Sequence, residues 1–159
     1  MTIISRETWG PALWTILHTM AQKSGTIENP IITEDEAHAW TGVFKTLHNI
    51  MPCQKCSQHF RQYVNKKQIS SLFIAKGYRR KDWLQEFFWE LHNEVNGENQ
   101  KEIFAKEGLE KYENSPEFRD AWDLIKKMTT TGVAQNQLKL LDVKASMRFL
   151  ETIKRLYGL

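Results

Sequence analysis

The feature that most limits what this chain can fold into is the spacing of its apolar residues, which is helical from end to end. Ala37, Trp40, Phe44, Leu47 and Met51 recur at i, i+3, i+7, i+10 and i+14. That spacing makes one stripe on a helix of about 3.6 residues per turn and scatters over both faces of a strand. Trp9, Leu13, Ile16, Leu17 and Met20 repeat the pattern, as do Leu84, Phe88, Leu91 and Val95, then Phe118, Trp122 and Ile125. A last set holds Leu138, Leu141, Ala145, Phe149, Ile153 and Leu156. No period-two alternation competes, and the chain reads as all-α: a compact four- or five-helix bundle with additional C-terminal helices.

Local signals set the expected boundaries. Thr8 is a plausible N-cap, with Pro11 tolerated in the first turn, and Gly25 with Asn29-Pro30 marks a loop. Thr33 and Glu36 form a capping-box pattern, and Pro52 stops one helix and opens the next, which carries Cys53, Cys56, Phe60 and Val64. Residues 65–81 read mostly as loop, Asp82 as a cap, and Asn96-Gly97 as a stop. Ser115-Pro116 starts a helix that Thr129 to Gly132 breaks. Residues 1–114 then form the main domain, and 115–159 a helical extension packed on it.

A chain of 159 residues, 41% hydrophobic and 26% charged, suits one globular domain. Its longest apolar run, Leu72 to Ala75, is far short of the roughly 20 residues of a membrane span. No basic run precedes the first apolar stretch, so we read residues 1–20 as mature structure. The 22 basic and 19 acidic side chains are mixed along the chain and predict no nucleic-acid partner. Two cysteines cannot staple a fold, which leaves packing to hold it and permits a reducing, cytoplasmic setting.

Three segments carry candidate chemistry. Cys53-Gln54-Lys55-Cys56 follows a proline at a helix start. Cysteines at i and i+3 lie on one helical face, close enough to bridge, and a helix N-terminus stabilises a thiolate. Such a pair suits cycling between dithiol and disulfide, while two buried core thiols remain the bland alternative. A structural zinc on Cys53, Cys56 and His59 with His48 or His92, in a non-enzymatic interaction module, is the competing reading; it lacks the usual second short-spaced pair. A thioredoxin-like domain would need a strand before the motif, where a helix is expected. The second segment, Trp89, His92, Asn93 and Asn96, places amides and an imidazole along the edge of an apolar stripe. These groups suit either structural hydrogen bonding or the edge of a heteroaromatic ring. The third runs from Trp9 to His18, with Trp14 and His18 one turn apart and Gly10 permitting close backbone approach.

In this order, WGPALW-x-x-LH, PC-x-x-C-x-x-HF and W-x-x-HNEVN resemble the Erv/ALR family of FAD-dependent sulfhydryl oxidases over residues 6 to 101. The resemblance implies a helical bundle holding FAD, with the disulfide of Cys53 and Cys56 against its flavin. It further implies cofactor contacts from Trp9, Gly10, Trp14, His18, Cys56, His59, His92, Asn93, Val95, Asn96 and Lys101, and no metal. Two substrate thiols and O2 would give a disulfide and H2O2, with Cys53 attacked by substrate and Cys56 facing the flavin. Gly97-Glu98-Asn99-Gln100 replaces the basic and leucine-glycine residues common in the family, and no second, shuttle cysteine pair is present. The chain thus resembles the minimal forms encoded by large DNA viruses of the host cytoplasm. The implied partners are a thiol protein such as a thioredoxin-like carrier and a second copy of the chain, joined through the early helices.

Overall fold

The structure, a computed structural model, describes residues 4–159, which contain helices and no strand. Seven α-helices follow in order: α1 (Arg6–Lys23), α2 (Pro30–Thr46), α3 (Gln54–Asn65), α4 (Ser71–Ile74), α5 (Tyr78–Glu98), α6 (Phe118–Ala134) and α7 (Leu140–Leu156). Short 3-10 turns at Leu47–Ile50 and Lys106–Tyr112 join α2 to α3 and α5 to α6. Helix α1 packs between α5 and α6, and α2 packs on α7. The centre is aromatic: Phe44 lies 4.5 Å from Phe87 and 5.6 Å from Phe88 between ring centroids, with Trp40 5.7 Å from Phe88.

Several helix ends differ from the sequence expectation. Ser5, not Thr8, precedes α1, so Pro11 lies inside the helix and past its first turn. Asn29 caps α2, its side chain accepting from the N–H groups of Ile31 and Ile32. Thr33 and Glu36 therefore form no capping box; Thr33 Oγ1 donates instead to the Ile27 carbonyl. Helix α5 begins at Tyr78, after Gly77 at φ +60°, a turn that only glycine makes without strain, and runs through Asn96-Gly97 to Glu98. Thr129 and Thr130 return hydroxyl bonds to the Lys126 carbonyl, and α6 continues through them to Ala134.

A buried ion pair ties α2 to the start of α5. Glu36 and Arg80 are fully buried, with Nη1 2.7 Å from Oε1, and the guanidinium also donates to the carbonyls of Thr33, Leu72 and Ala75. Tyr157, just past α7, donates to Glu36 Oε2 at 2.6 Å and accepts from Trp40 Nε1 at 2.8 Å. Every polar atom here has a partner, the condition under which burying charge is tolerable.

That anchor sets the rotation of α7. Its inward stripe is Val143, Ser146, Leu150 and Ile153, the face of Tyr157, whereas the expected Leu141 is 78% exposed. Phe149 crosses α2 where Gly42 has no side chain. Between them α6 and α7 cover the early helices: in α1 Ala12, Leu13 and Ile16 to Ala21 are all buried, and α2 leaves Glu34, Asp35, His38 and Lys45 outward.

Candidate active site

Pro52 ends the turn after α2, and Cys53 becomes the N-cap of α3. Its Sγ accepts the Cys56 backbone N–H at 3.2 Å, and the two sulfurs are joined in a disulfide. The i, i+3 spacing produces both contacts, since the cap position and the end of the first turn face each other.

Cys56 lines a cleft, open to solvent, between α1, α3 and α5. Its inner end is apolar, with Leu13 and Leu17 from α1, Phe60 from α3 and Leu91 from α5. The helices run antiparallel here: Trp14 and His18 meet His92 at that inner end, while Arg6, Trp9 and Gly10 share the outer end with Val95, Glu98 and Asn99. A Cβ on Gly10 would find nothing closer than Arg6 Cγ at 4.0 Å, so the missing side chain leaves open space at the cavity wall.

Of the residues the sequence singled out, Trp9, Gly10, Trp14, Cys56, His59 and Val95 line this cavity. His18, His92, Asn93, Asn96 and Lys101 do not; the first four brace its wall. The His92 ring stacks on Trp14 at 4.1 Å, and its Nδ1 lies 2.9 Å from His18 Nε2. Asn93 holds Phe104 by two bonds, accepting its N–H and donating to its carbonyl, and Asn96 donates to the Glu102 carbonyl. Trp89 Nε1 also donates to the Phe104 carbonyl. The amide edge therefore grips the segment after α5 and folds it over the histidine pair, where Phe104 and Tyr112 pack on His18. Arg6, Lys55, Glu98 and Asn99 at the cavity are additions that no motif announced.

Burial, then the mutual repulsion of the pair and Lys111, pushes His18 down to about 3. Burial, then Lys111 and Lys101, lowers His92 to about 4. Both rings are neutral at pH 7, which suits their contact: one nitrogen donates and the other accepts. His59 stands between two α5 carboxylates, Nε2 3.2 Å from Glu94 and Nδ1 3.3 Å from Glu98.

These positions weigh against the zinc alternative. The sulfurs are spent on each other, His92 is turned to Trp14 and His18, and among the described residues the metal-competent group, His59 with Glu94 and Glu98, contains no cysteine.

A profile of the Erv1 / Alr family matches residues 11–123, which run from α1 into α6 and include the cysteine pair and the α5 motif. The chain belongs to the Erv1 / Alr family. Among curated proteins, the "Putative FAD-linked sulfhydryl oxidase 096R" of Invertebrate iridescent virus 3 is 26% identical over 110 residues, 69% of this chain and 68% of that protein. The "Putative FAD-linked sulfhydryl oxidase 088R" of Frog virus 3 is 27% identical over 88 residues, which span 55% of this chain and 54% of that relative. No solved structure matches the chain significantly. In this Erv1 / Alr member, α7 and the end of α6 lie beyond the matched region.

Proposed function

We propose that this chain is an FAD-dependent sulfhydryl oxidase, and the observation that carries the proposal is a disulfide at a helix N-terminus whose inner sulfur, Cys56, faces an apolar, aromatic-walled cavity. The cavity fits a flavin: a planar ring would lie among Leu13, Leu17, Phe60 and Leu91, with Gly10 leaving room at the wall. Trp9, Gly10, Trp14, Cys56, His59 and Val95 would touch it directly; His18, His92, Asn93 and Asn96 would act by holding the wall. Bound FAD would supply two-electron acceptance and return of those electrons to O2 as H2O2.

The chain's own residues do the thiol chemistry. A substrate thiolate attacks Cys53 Sγ, the bond to Cys56 breaks, and Cys56 leaves as a thiolate facing the cavity. The second substrate thiol, as thiolate, attacks the substrate sulfur of the mixed disulfide and releases Cys53, so the substrate gains a disulfide and the cysteine pair holds two electrons. The Cys56 N–H that now meets Cys53 Sγ stabilises the departing sulfur as a thiolate.

Cys53 and Cys56 are the only cysteines in the sequence, so the reductant must bring its own projecting dithiol, as a thioredoxin-like carrier does. The family resemblance favours a homodimer through the early helices; in this chain α6 packs on α1 and α7 on α2, so residues 115–159 are part of each unit, and each chain by itself forms the whole cavity. No helix among the described residues is long and apolar enough to cross a membrane, and a cysteine inventory limited to the redox pair suits a reducing host cytoplasm or a virion assembled there.

The absorption spectrum of the pure protein tests the reading. A flavin spectrum is expected, and Cys53→Ser, which leaves Cys56 as a free thiolate at the cavity, should add a long-wavelength charge-transfer band that Cys56→Ser lacks. Protein that stays colourless after incubation with FAD would remove the oxidase proposal, and the reverse pattern of bands would exchange the roles of the two cysteines.

A further inference from the structure

FAD carries a diphosphate, and any site for it must place cationic or N–H donors where that tail leaves the ring pocket. The stretch after Asn96 brings no cation to the cavity: Glu98, a carboxylate, and the neutral Asn99 line it there, and Lys101 lies outside the lining residues. Glu98 is itself turned to His59 Nδ1 at 3.3 Å, so its charge is met from within the wall. Two further cations line the cavity, Arg6 and Lys55, and neither forms an ion pair with a described residue. Lys55 belongs to the first turn of α3, beside Cys56, where the ring itself must come to exchange electrons. Arg6 is on the opposite wall, at the first residue of α1, with the apolar inner end about two turns away at Leu13 and about three at Leu17.

We propose that Arg6 binds the diphosphate of FAD, taking the part that a basic residue after Asn96 would otherwise play; this rests on the flavin reading above. A guanidinium offers a planar fork that matches two phosphate oxygens, which an ammonium does not. The first turn of α1 adds to it. Ser5 makes no side-chain cap bond, the N–H groups of Arg6 and Glu7 show no capping partner among the described residues, and the positive end of the helix dipole points the same way. Arg6 is exposed and outside the core, so its removal leaves the fold intact.

The test compares FAD with riboflavin, which has the same ring and no phosphate, by titrating flavin-stripped protein and following flavin fluorescence. Arg6→Ala should weaken FAD binding roughly ten- to a hundredfold, the range for losing a charge-assisted hydrogen bond, and leave riboflavin within about twofold. Arg6→Lys should recover part of the loss, and raising ionic strength should weaken FAD binding to wild type more than to Arg6→Ala. Unchanged FAD affinity in Arg6→Ala, with wild type binding normally, would overturn the Arg6 assignment alone. An equal loss for both flavins would also overturn it, since the residue would then shape the ring pocket. Failure of wild type to bind either flavin would sink the oxidase reading and this assignment with it.

Discussion

Acidification should destabilise this protein through one contact, the pair formed by His18 and His92. In the folded chain the two rings share a single N–H between nitrogens 2.9 Å apart, and burial holds His18 down to about 3 and His92 to about 4 against an ordinary 6.5. In the unfolded chain both rings take up a proton as the pH falls through that ordinary value. The unfolded state therefore binds more protons, and stability that is complete above pH 6.5 drains away as the pH falls toward the folded-state values, where the loss levels off. At pH 5 a shift of this kind costs about 2 kcal/mol for the fully buried His18. His92 is partly exposed and contributes roughly half as much, for a total of about 3 kcal/mol. Urea unfolding at pH 7.5 and pH 5.0, in one fixed ligand state, reads the difference directly. His18→Gln removes the larger titration and should shrink the pH-dependent loss by about 2 kcal/mol, whatever it does to stability at pH 7.5. His48, whose burial also lowers it, stays in both proteins and cancels in the subtraction. A wild-type loss below about 1 kcal/mol, or an undiminished loss in His18→Gln, would refute the neutral-pair account.

Tyr157→Phe should cost about 2–4 kcal/mol in urea unfolding, because it strands the buried Trp40 indole N–H and removes a donor from Glu36; a loss under about 0.5 kcal/mol would mean that solvent reaches the network. Two glycine substitutions should move thermal stability in opposite directions. Gly42→Ala would set a Cβ 2.3 Å from the Phe149 ring and lower the midpoint, whereas Gly97→Ala, with nothing within 4 Å, should raise it. Oxygen uptake with a folded client whose cysteines are recessed should be slow with the enzyme alone and rise when a reduced thioredoxin-like carrier is added; equal rates would rule out the relay.

Much of this was legible in the sequence, and the failures share a physical origin. Trp40, Phe44 and Leu47, or Leu84, Phe88 and Leu91, announce their burial because helical spacing is a local property, and the cysteine pair announces its own cap and bridge for the same reason. The role of Asn93 and Asn96 was not legible, because an amide suits a ring edge and a backbone strap equally, and only the return of Phe104 across α5 decides between them. Arg6 and Glu98 escaped notice since each looks like an ordinary surface charge until α1 and α5 are laid antiparallel. The register of α7 depends on Tyr157 reaching Glu36, a separation of 121 residues that no periodicity encodes. Glu36 itself reads as half of a capping box, and its true partner, Arg80, lies in a stretch that reads as a basic loop.

The cap on α3 bears on wear. An enzyme that breaks its own disulfide at every turnover risks loosening the structure that the bond helped to hold. Here Cys53 Sγ is already the acceptor for the Cys56 N–H while it is bonded, and once the second substrate thiolate releases it as a thiolate it accepts more strongly than it did before. Cys53 Sγ thus caps the helix with or without its covalent tether, and the first turn of α3 is held in both halves of the proposed cycle. Amide exchange at Cys56 should accordingly be as slow in the reduced protein as in the oxidised one, so that repeated cycling opens no frayed helix end to proteases or to the wrong thiol.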